Sequence, residues 1–162
     1  MDDIDELIAS VRSTATRLKR VADADAARRP APGKWSAKEV IGHLIDSASN
    51  NHQRFVRARW QDDLTFSGYV QEAWVSVQEY QTAPWSELLD LWAAYNYHLA
   101  RVMRAIPEEV RLRPRARSLG ELAWQSVPAD QPLTLDFFMR DYVRHLQHHL
   151  RQVDALSLPG PR

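Results

Sequence analysis

Four long stretches of this chain repeat their apolar residues at intervals of three and four, a period that commits a chain to amphipathic α-helices rather than strands. The first carries Ile4, Leu7, Ile8, Val11, Ala15, Leu18 and Ala22, enough for a helix of about six turns before Pro30, Pro32 and Gly33 stop it. The second opens with clear punctuation. Ser36 and Glu39 have the spacing of a capping box, and Trp35 and Val40 that of a hydrophobic staple, for a helix reaching to about Trp60. The third, from Trp85 to Ile106, is expected to bury Leu88, Leu91, Trp92, Tyr95, Leu99, Val102 and Ile106. The fourth opens at Thr134 as N-cap and runs to about Leu156, where Leu-Pro-Gly-Pro ends it. Four such helices predict an all-α four-helix bundle, with residues 1–162 as one domain.

The connections are long for a bundle. Roughly 24 residues join the second helix to the third and roughly 28 join the third to the fourth, so both should carry short elements that cover something. Their aromatics, Phe66, Tyr69, Trp74 and Trp124, suit packed lids. The formal net charge is +0, which removes any global electrostatic case for nucleic acid. The basic run Arg-Leu-Arg-Pro-Arg-Ala-Arg-Ser after Glu109 lies in a proline-broken loop and does not restore one. The chain has 0 cysteines, excluding disulfides, thiolate ligands and a protein-borne thiol nucleophile. Without a long apolar run, and with an acidic start, Met-Asp-Asp-Ile-Asp-Glu-Leu, the expectation is a cytoplasmic protein that does not meet the membrane.

His145 and His149 lie four apart in the fourth helix, so both imidazoles point the same way and can share one metal ion. On a wheel of about 100° per residue they fall with Phe138, Gln152 and Leu156, at the border of the aliphatic arc formed by Met139, Val143, Leu146, Leu150 and Val153. His148 turns toward the polar side. In the second helix, His43 shares a polar stripe with Glu39, Asp46, Ser47, Asn50 and Arg54, beside the apolar arc of Ile41, Leu44, Ala48 and Phe55. The stripe suits either a solvated surface or the wall of a polar pocket. Asp46 can orient an imidazole or hold a water, and Arg54 can meet an anionic substrate group. Spacing alone leaves an ordinary border role open for all three histidines. His52 lies opposite His43 and is expected to pack or face solvent, and His98 borders the core of the third helix.

The segment Lys-Trp-Ser-Ala-Lys-Glu-Val-Ile-Gly-His-Leu-Ile-Asp, continuing through the polar run to Arg54 and Phe55, resembles the second-helix signature of the DinB/YfiT-like superfamily. The closing His-Leu-Gln-His-His-Leu-Arg-Gln-Val resembles that family's last-helix motif, in which two histidines four apart are metal ligands. The resemblance implies an up-down-down-up bundle, often dimeric, and a divalent metal, zinc or nickel, on His43, His145 and His149. Some relatives carry a further histidine where this chain has Gln152. It also implies an enzyme acting on a small molecule, with the metal activating either water, as in a hydrolase, or a low-molecular-weight thiol cosubstrate, as in an S-transferase or isomerase. Asp46 and Asn50 are then expected as outer-shell groups and Arg54 as an anion contact. The competing expectation is a non-catalytic dimeric bundle, binding a ligand or a protein with a vestigial site.

Overall fold

The computed structural model describes residues 2–61, 68–115, 124 and 133–157. In chain order it forms α1 (Asp2–Leu18), α2 (Asp23–Ala26), α3 (Ala37–Ala58), α4 (Gln71–Val77), α5 (Trp85–Ala105), α6 (Glu108–Leu112) and α7 (Leu135–Ser157). The four long helices, α1, α3, α5 and α7, are those the periodicity predicts. Among the described residues there is no strand, only an isolated antiparallel bridge between Arg115 and Leu133. No described helix is long and apolar enough to cross a membrane.

The capping signals work as expected. The Ser36 hydroxyl accepts from the Glu39 amide and the Glu39 carboxylate accepts from the Ser36 amide at 2.8 Å, satisfying donors that a helix start leaves unpaired. Thr134 accepts from the Phe137 amide at 3.1 Å and starts α7. At the other end of α3, buried Arg115 donates to the carbonyls of Ala58, at 2.8 Å, and Gln61, a cation placed on the negative end of the helix dipole. The basic run thus serves α3, and Arg111 pairs with Asp136 on α7.

Two expectations are corrected. The first helix ends at Leu18, short of Ala22. Its last carbonyl is taken by the Trp85 indole at 3.1 Å, and the chain turns so that Asp23 can accept the Trp85 amide and the buried Lys38 ammonium, both at 2.9 Å. That carboxylate supplies the N-terminal cap that Pro84 lacks. The second concerns Leu91, which is 52% exposed rather than buried. The inward stripe of α5 runs instead through Trp85, Leu88, Leu89, Trp92, Asn96, Leu99, Ala100 and Met103. With neighbours on both flanks, α1 and α3, the helix turns a broader and rotated face inward.

Paired residues fix the direction of each helix. Asp5 meets Arg104 and Lys19 meets Asp90, so α1 and α5 are antiparallel. Arg17 meets Asp154, Glu6 meets Gln147 and Asp3 meets Arg140, so α1 and α7 are parallel. His43 faces His145 and His149 while Phe55 faces Tyr142, making α3 and α7 antiparallel. Lys38 binds the carbonyl of Ala83 just before α5, and His52 reaches Tyr95 within it, making α3 and α5 parallel. The bundle is therefore up-down-down-up. Around the ring the order is α1, α5, α3, α7, so α1 and α3 stand on one diagonal, α5 and α7 on the other. A buried Tyr142 hydroxyl donates to Asn96 at 2.5 Å across that second diagonal.

Candidate metal centre

Part of the polar stripe of α3 is the wall of a pocket. Glu39, His43, Asp46, Ser47 and Arg54 are all buried, and of these His43, Ser47 and Arg54 line a cavity shared with α7. The stripe can be buried because Gly42 lets Tyr80 lie flat on α3: a Cβ there would sit 2.0 Å from the Tyr80 ring. Tyr80 then donates its hydroxyl to Asp46 at 2.7 Å, and Gln78 donates to the same oxygen at 2.6 Å. The second Asp46 oxygen has no hydrogen-bond partner among the described residues. Burial raises the Asp46 pKa above the usual carboxylate range, against the pull of those two donors.

His43, His145 and His149 converge. One ligating atom from each lies within 4.8 Å of the others. The Nε2 atoms of His43 and His145 are 3.3 Å apart. Two imidazole nitrogens bound tetrahedrally to zinc at about 2.05 Å are separated by about 3.3 Å, so this edge already has a coordinating spacing. Two of the rings are held through their outer nitrogens. Ser47 Oγ lies 3.5 Å from Nδ1 of His145, and Gln152 accepts at 3.0 Å beside Nδ1 of His149, leaving Nε2 of each for a shared cation. Nδ1 of His43 is buried without a partner among the described residues, while Trp35 tilts against that ring at 5.3 Å.

The electrostatics suit neutral ligands. Burial, then the neighbouring His149, lowers the His43 pKa to about 4. Burial, then His149, His43 and His148, lowers that of His145 to about 3. His149 is lowered as well, by burial and His148 against the opposing bond from Gln152. All three lone pairs are thus available near neutral pH, as metal binding requires. The donor set and the spacing fit a divalent transition metal.

The histidines open onto a cavity of about 400 Å³. Its walls include Ser47, Asn51 and Arg54 from α3, Phe138, Asp141, Tyr142 and His148 from α7, and Tyr69 and Trp124 from the connections. Trp124 stacks on His148 at 5.2 Å and donates its amide to Asp141 at 2.7 Å, so this lid residue is pinned to α7. Tyr69 packs on Trp74 at 4.9 Å, and burial, with Asp46 adding to it, pushes its hydroxyl up to about 12. The expected lid residue Phe66 lies outside the described residues.

Of the other residues expected in the site, Arg54 lines the cavity and Asp46 does not. Asn50 also turns away, donating to the Asp46 carbonyl at 2.9 Å, and Asn51 takes the position on the wall. His52 and His98 form a separate pair outside the cavity, with ring centroids 5.0 Å apart. Asp141 was legible in principle, since it precedes His145 by one turn on the same face of α7.

Comparison with known proteins identifies the family and the fold. The family model described as the DinB superfamily matches residues 6–153. A curated relative from Bacillus subtilis (strain 168), named "Putative metal-dependent hydrolase YfiT", is 23% identical over 125 residues. That match covers 77% of this chain and 65% of the relative, just under two thirds of its length. The solved structure of YfiT from Bacillus subtilis, described as "a probable metal-dependent hydrolase with an unusual four-helix bundle topology", superposes with a TM-score of 0.72 at 21% identity, covering 94% of this chain and 85% of that one.

Proposed function

This chain belongs to the DinB superfamily, and on that premise we propose that it is a metal-dependent hydrolase of small molecules, with His43, His145 and His149 as the metal ligands. The observation that carries the reading is the convergence of three neutral imidazoles from two antiparallel helices onto a cavity of about 400 Å³. The name of the Bacillus subtilis relative supports the reaction class. A divalent transition metal held there, with zinc and nickel both suited to imidazole, supplies Lewis acidity that makes a water molecule nucleophilic near neutral pH.

The chain's own residues do the rest. Ser47 and Gln152 orient the rings of His145 and His149. Phe138, Tyr142 and Trp124 give the cavity an apolar wall against which a substrate packs. Asp46 acts at a distance, anchoring Tyr80 behind the His43 backbone, and Asn50 braces that turn of α3. Water is the simpler nucleophile, because a thiol would have to arrive on a cosubstrate: the chain has 0 cysteines.

Elemental analysis of untagged protein, grown with ample zinc and nickel, tests the reading. The expected result is close to one metal per chain, lost on H43A, H145A or H149A while the helical circular dichroism persists. Metal-free wild-type protein from such cells overturns it. Release of product from ester or amide substrates by the loaded protein, without added thiol, then distinguishes hydrolysis from thiol transfer.

A further inference from the structure

Arg54 is the residue in this cavity that the metal ligands do not explain. It is only 8% exposed, yet it lines the cavity and makes no ion pair among the described residues. Among the described residues its one side-chain hydrogen bond is a long one, 3.5 Å to the Asn51 side chain. A guanidinium carries five donors, and burying it without an anion is costly. The bond to Asn51 shows the side chain folding back along α3 toward His43, as helical side chains lean. At 1.5 Å per residue, the level of Asn51 lies on the order of 10 Å along the helix from His43. Ser47, 3.5 Å from Nδ1 of His145, belongs to the histidine end, so the histidines and the guanidinium stand about one helical turn apart along one cleft.

Resting on the metal-dependent reading above, we propose that Arg54 is the substrate's specificity anchor: it binds a carboxylate at the end of the molecule remote from the bond that reacts. The planar fork of a guanidinium matches a carboxylate in a bidentate pair. A singly charged acid fits better than a phosphate dianion, because Arg54 is the one arginine or lysine among the described residues that line the cavity and balances one charge. The substrate class is thus a monocarboxylic acid with its hydrolysable group several bonds from the acid.

Binding of hexanoate, with hexanamide as its uncharged isostere, tests this by calorimetry on the metal-loaded protein. Hexanoate should bind wild type saturably at millimolar concentration and at least about tenfold more tightly than hexanamide. R54M should abolish that preference while its metal content and helical spectrum match wild type. The fold should persist, because a buried charge with no ion pair among the described residues is costly to keep. R54K should retain part of the preference, since it keeps the charge and loses the fork. Equal binding of acid and amide, or no saturable hexanoate binding to wild type, overturns the proposal. So does hexanoate binding that survives R54M and disappears on chelation, which would put the acid on the histidines. A protein that discriminates through Arg54 but holds no metal would refute the hydrolase reading and leave this one standing.

Discussion

Individual side chains decide whether α3 can carry a buried polar face at all. Gly42 is the sharpest case, because any Cβ would strike the Tyr80 ring, 2.0 Å away, and not a flexible side-chain end. We expect G42A to displace Tyr80, break its 2.7 Å bond to Asp46 and cost about 1–3 kcal/mol in urea unfolding. A loss of only a few tenths would show that the ring slides away freely. This glycine was legible only as part of a family signature. Nothing in its own sequence context reveals the tyrosine that lands on it from 38 positions downstream, at position 80. The histidines were more legible, since a helix with two imidazoles at four-residue spacing fixes their common direction. Which way Asn50 and Asn51 point was not, because neighbours about 100° apart on a helix straddle the pocket edge, and packing decides between them.

The helices themselves are held by signals at their ends. Ser36 is fully buried and caps α3 while also donating to Gln81 at 2.6 Å. S36A should therefore cost more than the usual cap, about 1–3 kcal/mol, by leaving the Glu39 amide and Gln81 short of partners. An effect below about 0.5 kcal/mol would mean that water replaces the hydroxyl. The C-terminal end of α3 is held from outside by Arg115, through the carbonyls of Ala58 and Gln61. We expect R115A to fray the last turn and to lower stability by about 2 kcal/mol, read as faster amide exchange confined to residues near 58. Uniformly faster exchange along α3 would contradict that. Caps of the first kind are local in sequence and were readable. The second kind, like the Asp23 carboxylate at the start of α5, joins residues far apart, and only the assembled bundle brings them together.

The molecule as a whole should register the charge state of its site. His43 and His145 titrate near 4 and 3 in the fold, against an ordinary value near 6.5. Between those values the unfolded chain binds more protons than the folded one, so stability rises with pH and is lost as pH falls below about 6.5. Metal-free protein should show falling urea midpoints from pH 7 to pH 5, and H145Q should flatten that slope. A midpoint independent of pH over this range would refute the assignment. Metal present at about a thousandfold over its dissociation constant should add about 4 kcal/mol, seen as a drop in melting temperature on chelation.

The up-down-down-up order also has a consequence for synthesis. His43 and His145 are 102 residues apart, and the wall of the site opposite α3 belongs to the last long helix. As the chain leaves the ribosome, α1, α3 and α5 can pair while His43, Ser47 and Arg54 still face water. The cleft closes only when α7 docks between α3 and α1. On the metal-dependent reading proposed above, capture on three imidazoles is then a late event, one that follows a finished bundle and does not nucleate it.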